Sequence, residues 1–198
     1  MRGLSYLLGL VALACSGQAL ALNLEVRDDA GRPLAGAVLF LESAQARRQV
    51  RPVAQAEMGQ AGKQFAPQVL VVPVGTAVSF PNRDTVRHHV YSFSATKKFE
   101  LKLYIGTPAN PVVFDRSGIA VLGCNIHDQM VGWIVVVETP YYAMSDAQGR
   151  AVIDAPPGSY RLRSWHPGLP VGAAAQDQAL ELAGPAQNVS VRLSGVQP

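Results

Sequence analysis

The sequence has 198 residues, of which 48% are hydrophobic and 16% are charged, so the chain can bury a core and is not of the disordered class. Its formal net charge of +3 is small and its Lys and Arg residues are scattered, which argues against nucleic acid as a partner. The 18 Gly and 14 Pro residues interrupt the chain every few positions, and this favours short strands joined by turns over long helices.

The first 21 residues have the pattern of a secretory signal. Arg2 precedes an apolar run that ends at Cys15, and residues 19–21 (Ala-Leu-Ala) match a cleavage site, so the mature chain is predicted to begin at Leu22. The run is too short to span a membrane, and no later segment is predicted to do so. Lipoprotein processing at Cys15 is the alternative, which the preceding residues fit poorly. We therefore expect a protein exported to the periplasm, without a transmembrane segment.

The remaining sequence has the pattern of an all-β protein. Residues 22–26 alternate apolar and polar side chains, as in a half-buried strand. No stretch keeps helical periodicity over three turns, and residues 44–51, with three arginines, are predicted to be exposed. Residues 99–105 are predicted to place Phe99, Leu101, Leu103 and Ile105 on one face. Further strands are predicted near 37–41, 53–58, 69–74, 77–80, 88–93, 112–114, 120–122, 133–137, 151–153, 160–165, 179–182 and 189–193. This pattern indicates a β-sandwich of Greek-key type.

One short loop carries most of the chemistry. With Cys15 removed, Cys124 is the only cysteine of the predicted mature chain. An exported thiol without a disulfide partner is prone to oxidation unless it is buried or bound. Cys124, His127 and Met130 follow one another at intervals of three residues between two predicted strands. This spacing places a thiolate, an imidazole and a thioether around one point.

These ligand types favour copper. Two imidazoles and one thiolate with a weak axial thioether make a type 1 (blue) copper electron-transfer site. The second imidazole should come from upstream, where His88 or His89 can supply it on chemistry alone. Zinc is the alternative metal, although a thioether is a poor zinc ligand. His166 lies far from the loop in the sequence and is predicted to be a structural or surface histidine, not a metal ligand.

Two parts of the sequence together resemble the cupredoxins. They are residues 78–90, which contain Val-Ser-Phe-Pro-Asn-Arg-Asp and His-His-Val, and residues 118–130, which end in Gly-Cys-Asn-Ile-His-Asp-Gln-Met. The short Cys-x2-His-x2-Met loop is similar to that of amicyanin. The wider context, including Thr-Pro-Tyr-Tyr at 139–142, is similar to exported plastocyanin-like proteins often labelled methylamine utilisation proteins.

The resemblance covers roughly residues 53–139 and implies one type 1 copper per chain in a Greek-key cupredoxin sandwich. The ligands that it implies are His88, Cys124, His127 and Met130. It favours His88 over His89 because the family pattern is His-Asn-Val, and His89 stands where Asn is usual.

The flanking segments resemble a second, smaller β-sandwich. Residues 24–38 resemble the opening of carboxypeptidase regulatory-like domains, and residues 145–162 resemble the rest of such a domain. Each segment alone offers too few strands for independent stability. We therefore predict a signal peptide (1–21), one discontinuous sandwich (22–52 and 140–198), and an inserted cupredoxin domain (53–139). The alternative is a single enlarged cupredoxin. Insertion requires strand 22–27 or 36–42 to pair with strands from 145–193.

Three functions are compatible with such a site. The first is a periplasmic carrier of single electrons, with a cytochrome or dehydrogenase as its unidentified partner. The resemblance to cupredoxins implies that electrons would pass through His127, inside an apolar patch for which Val131, Trp133, Pro140 and Tyr141 are candidates. The second is a copper-binding or delivery protein that uses the same residues. The third, a copper oxidase, needs further histidine-rich centres, for which His89 and His166 are too few, so we expect that the chain is not an enzyme.

Overall fold

The computed structural model describes residues 19–197, so most of the predicted signal peptide lies outside the described residues. Within that range, no helix is long and apolar enough to cross a membrane. The elements in chain order are β1 (Leu20–Arg27), β2 (Val38–Glu42), α1 (Ala44–Gln49), β3 (Ala56–Glu57), β4 (Gly59–Ala61), β5 (Gln64–Ala66), β6 (Val69–Pro73), β7 (Thr76–Ser79), β8 (His88–Ser94), β9 (Lys97–Tyr104), β10 (Val112–Phe114), β11 (Gly118–Cys124), β12 (Val131–Val137), β13 (Tyr142–Met144), β14 (Arg150–Ala155), β15 (Gly158–Trp165), β16 (Gln176–Leu182) and β17 (Gln187–Arg192). The predicted all-β class is confirmed.

The strands form two sets that do not pair with each other between residues 19 and 197. The flanking strands, β1, β2 and β13–β17, make a three-stranded sheet of order β14-β1-β17 and a four-stranded sheet of order β13-β2-β15-β16. The central strands, β3–β12, make a five-stranded sheet of order β6-β12-β11-β8-β9, a three-stranded sheet of order β10-β7-β3, and the hairpin β4-β5.

The two N-terminal strands pair with strands from beyond residue 140. β1 runs antiparallel to β14, from Leu20 opposite Ala155 to Glu25 opposite Arg150, and parallel to β17. β2 pairs with β13 and with β15. This is the pairing that an inserted central domain requires. The division at residues 52/53 and 139/140 stays a prediction, because the two sets of strands also share packing.

The shared packing comes from β12, which is buried on both of its faces. Side chains alternate between the faces of a strand, and Ile134 and Val136 point into a different core from Val135 and Val137. The flanking core lies among the flanking strands and also contains Val69, Val135 and Val137. The central core lies between the sheets of the central strands and contains Met58, Phe65, Val72, Val78, Phe80, Val90, Phe114, Ala120, Leu122, Cys124, Met130, Ile134 and Val136.

Two local features differ from the sequence-based expectations. The exposed arginine segment begins with a short helix, α1, whose cap is Ser43: its Oγ accepts a hydrogen bond of 3.0 Å from the Ala46 N–H. The segment predicted as one strand at 53–58 contains only the two-residue β3, and the hairpin β4-β5 follows it.

A bulge in β9 makes the predicted apolar face of that strand partly wrong. Val90 pairs with Leu101 but His88 pairs with Tyr104, so β9 carries one extra residue there. Leu103 takes a positive φ of 23° and is 48% exposed. The bulge thus turns Leu103 outward, and Tyr104 packs against the central core instead.

Candidate metal centre

Two adjacent antiparallel strands bring the predicted site residues to one end of the central strands. His88 is the first residue of β8, and Cys124 is the last residue of β11, where it pairs with Val90. The loop between β11 and β12 then folds back on itself. His127 N–H donates to the Cys124 carbonyl at 3.5 Å, and Met130 N–H donates to the His127 carbonyl at 2.9 Å.

The structure brings three of the four predicted ligand atoms directly together. Cys124 Sγ lies 3.7 Å from His88 Nδ1 and 3.6 Å from His127 Nδ1, and the three atoms are all within 4.8 Å of one another. His88 is completely buried and Cys124 is buried, while His127 is partly exposed. Met130, the fourth predicted residue, is buried in the central core beside Cys124.

The separations of these atoms fit a single metal ion. Metal–sulfur and metal–nitrogen bonds of ~2.3 Å and ~2.0 Å, as zinc makes them, place S and N about 3.5 to 3.7 Å apart at angles between tetrahedral and trigonal. The observed values of 3.7 and 3.6 Å lie at that distance. A thiolate, two imidazoles and a neighbouring thioether are a set of donors that suits copper.

The side chains of the two adjacent histidines, His88 and His89, have different contacts. His88 faces Cys124, whereas the Nε2 of His89 lies 2.8 Å from Glu100 Oε1 on the neighbouring strand β9. Both ring nitrogens of His166 have partners outside the cluster: its Nε2 lies 3.0 Å from the Ala35 carbonyl oxygen, and its Nδ1 accepts the Gly168 N–H at 3.0 Å. Burial lowers the pKa of His166. Its contacts are those of a structural histidine.

The turn before His88 contains a polar network that the sequence analysis treated only as a turn. The Asn82 side-chain amide donates to the carbonyls of Val86 and Tyr104 at 2.8 and 2.9 Å, and its Oδ1 accepts the Asp84 N–H at 2.9 Å. Asp84 in turn lies 2.8 Å from the Nε2 of His88. A hydrogen bond from the Lys63 N–H, above all, holds the pKa of Asp84 below its ordinary value.

Tyr104 closes the central core beside the site. Its hydroxyl lies 2.8 Å from Gln60 Oε1 and 2.9 Å from the Phe80 carbonyl, so it can donate to either oxygen. Gln60 is fully buried. Burial raises the pKa of Tyr104 to about 12, because the phenolate would lose its hydration.

We expect Tyr104→Phe to reduce stability by about 1–3 kcal/mol, because it leaves the buried Gln60 oxygen without a donor.

The raised pKa of Tyr104 also predicts a pH effect. The unfolded tyrosine ionises near pH 10 and the folded one at about 12, so its stabilising contribution is complete below pH 10 and is lost as the pH rises toward 12. Between pH 8 and pH 11, the free energy of unfolding measured with urea should therefore fall less in Tyr104→Phe than in the wild type. Equal losses would contradict this prediction.

Two of the four residues predicted for an apolar patch near the site pack elsewhere, whereas Val131 is partly exposed and Pro140 is exposed. Trp133 and Tyr141 pack against the flanking core, and the ring centroids of Trp133 and Trp165 are 6.2 Å apart. The exposed hydrophobic residues on the segments that adjoin the site are instead Val86, Leu103, Ile105 and Ile126.

The central strands form two β-sheets around one core, in agreement with the predicted β-sandwich, with a histidine at the start of one strand and a Cys-x2-His-x2-Met loop at the end of its neighbour. No family model matches the sequence, and no curated protein matches it.

Several solved structures of copper proteins are similar to part of this chain. A purple cupredoxin from Nitrosopumilus maritimus is 25% identical and matches 43% of this chain and 100% of its own, with a TM-score of 0.37. A reduced amicyanin variant is 20% identical and matches 50% of this chain and 98% of its own, also with a TM-score of 0.37. A copper-containing nitrite reductase from Thermus scotoductus is 24% identical over 57% of this chain but only 28% of its own, with a TM-score of 0.40.

Proposed function

We propose that this protein binds one type 1 copper ion per chain and carries single electrons between redox partners. The observation that carries the proposal is the convergence of two imidazole Nδ1 atoms on one thiolate sulfur, at 3.7 and 3.6 Å. Met130 is buried next to this group and would supply the weak axial sulfur. Copper bound there would supply a one-electron couple, Cu(II)/Cu(I).

The surrounding residues suit a carrier because they hold the ligands in fixed positions. His88 and Cys124 belong to hydrogen-bonded strands, and two backbone hydrogen bonds tie the loop that carries His127. Rigid ligands lower the reorganisation that accompanies a change in metal charge, as preorganised sites do in general. Burial of His88, Cys124 and Met130 also keeps water away from three of the four ligands.

His127 is the route that we propose for electrons, since it is the most exposed of the four residues. Contiguous exposed apolar patches mark surfaces that contact other proteins, and we propose that Val86, Leu103, Ile105 and Ile126, which are exposed on segments next to the site, form such a patch. A cytochrome or a dehydrogenase is the class of partner that we propose. The chain would therefore act as a carrier, not as an enzyme.

We also propose that the protein works in the periplasm. This rests on the signal-like pattern of residues 1–21. The mass of the mature protein tests it: the N-terminus should be Leu22, and an intact Met1 or an acylated Cys15 would contradict export of a free carrier.

Repeated redox cycling separates a carrier from a copper-delivery protein. The copper-loaded full chain should turn blue when oxidised and colourless when reduced, over many cycles, in the presence of a Cu(I) chelator. A carrier keeps one copper per chain throughout, as measured by metal analysis after each cycle. Loss of copper to the chelator at the first reduction would instead indicate delivery, and a native protein that is colourless and zinc-loaded would overturn the copper proposal.

A further inference from the structure

One carboxylate touches the site without being one of its predicted ligands. Asp84 Oδ2 lies 2.8 Å from the Nε2 atom of His88, on the side of the ring opposite to the Nδ1 that faces Cys124. The His88 side chain is fully buried, and the Asp84 side chain is only 15% exposed. This contact therefore lies largely out of water, where it is screened least.

The orientation of this carboxylate is fixed by a different part of the chain. Its Oδ1 accepts the Gly62 N–H at 2.6 Å, and its Oδ2 accepts the Lys63 N–H at 2.9 Å. Both donors belong to the turn between β4 and β5, the hairpin that the sequence analysis did not predict. The Asp84 N–H is held in turn by Asn82 Oδ1. Asp84 thus joins this turn to His88, and its position does not depend on His88 alone.

The two histidines of the cluster, His88 and His127, differ in the hydrogen-bond partner of their Nε2 atoms. Between residues 19 and 197, the Nε2 of His127 has no hydrogen-bond partner, whereas the Nε2 of His88 has a carboxylate. A carboxylate at Nε2 keeps the proton on that nitrogen and leaves the Nδ1 lone pair free to bind a metal. It also makes the imidazole a stronger donor, and a stronger donor favours the more highly charged ion.

We propose, on the basis of the proposed copper function, that Asp84 is a positioning residue that fixes the Nε2–H tautomer of His88 and stabilises Cu(II) relative to Cu(I). Asp84 acts through the imidazole and does not touch the metal. The hairpin β4-β5 therefore takes part in setting the reduction potential, through the two backbone N–H groups that hold the carboxylate.

Asp84→Asn tests the proposal, since it removes the charge at nearly unchanged shape. The affinity for Cu(II) should fall about 10–100-fold, the usual effect of losing such a partner, and the affinity for Cu(I) should fall less. Each tenfold difference between the two affinities raises the midpoint potential by ~59 mV. The measurements are a redox titration and competition for each oxidation state of copper.

Glu100→Gln is the matched control. It removes a carboxylate that lies at the same distance of 2.8 Å from the Nε2 of the adjacent histidine, His89, which does not face Cys124. Its midpoint potential should stay close to that of the wild type. A folded Asp84→Asn protein whose potential matches that of Glu100→Gln would overturn the proposal.

A measurement on the wild type keeps the test independent of how well the variant folds. In ¹H–¹⁵N spectra of the diamagnetic Cu(I) protein, His88 should show a slowly exchanging proton on Nε2. Absence of that proton would overturn the role of Asp84 even if the protein is blue. A wild-type protein that does not become blue with copper would instead overturn the proposed function.

Discussion

Replacing Cys124 with Ser is expected to abolish the blue absorption of the Cu(II)-loaded protein. The colour of a type 1 site comes from charge transfer between the thiolate and copper, and a serine hydroxyl is a hard, weak donor that cannot replace it. Cys124 Sγ is also the atom on which both histidines converge. Loss of a residue that only hydrogen-bonds to a metal ligand already lowers metal affinity about 10–100-fold, so loss of the proposed ligand Cys124 should weaken Cu(II) binding by more than ~100-fold. Visible spectroscopy and metal competition measure the two effects.

Met130→Leu is the companion variant for this test. It is similar in volume and keeps the buried position of Met130 apolar, while the two histidines and the thiolate remain. The variant should therefore keep its colour but change its reduction potential, because only the thioether that would bind copper weakly is lost. A Cys124→Ser protein as blue as the wild type would rule out the proposed site.

A second large effect is expected from the two adjacent histidines, which form a matched pair. His88→Ala should lose the type 1 spectrum, because it removes the buried imidazole that lies 3.7 Å from the Cys124 sulfur. His89→Ala should keep that spectrum, because its ring bonds to Glu100 and does not face the cluster. The measurements are visible and electron paramagnetic resonance spectra of both proteins after loading with one equivalent of copper.

The reverse result would contradict the placement of these two side chains. A colourless His89→Ala protein together with a blue His88→Ala protein would show that His89 is the ligand. Circular dichroism of both variants should accompany the spectra, because His88 begins β8 and its loss could also disturb pairing with Tyr104.

The clustering of the candidate site residues can be predicted from the sequence where those residues are close together in the chain. Cys124, His127 and Met130 are neighbours in sequence, and their spacing alone brings them to one loop. His88 is distant, and its pairing with the loop needs the fold: on chemistry alone His89 serves equally well. Side chains alternate along β8, so the adjacent residues His88 and His89 point to opposite faces and only one of them can face Cys124. The structure places His88 on the inner face.

Asp84 and Tyr104 show what the sequence could not supply. The Pro-Asn-Arg-Asp turn can be predicted from the sequence. The contact between Asp84 and His88 cannot, because the Asp84 carboxylate is held by the N–H groups of Gly62 and Lys63, about twenty residues earlier in the chain. The inward position of Tyr104 depends on one extra residue in β9, and a bulge of this kind shifts every side chain that follows to the other face. Simple alternation therefore gave the wrong face for Leu103.

The double burial of β12 has a thermodynamic consequence. This strand continues directly from the loop that carries His127 and Met130, and its successive side chains belong to two different cores. A ligand that binds only the folded state stabilises whatever must unfold for the ligand to leave. Since β12 cannot detach without opening both cores, the free energy of binding the proposed copper ion at one end of the central strands would be shared by the flanking sheets. Loss of the metal would accordingly lower the resistance of the whole chain to heat and to proteolysis, far from the site itself.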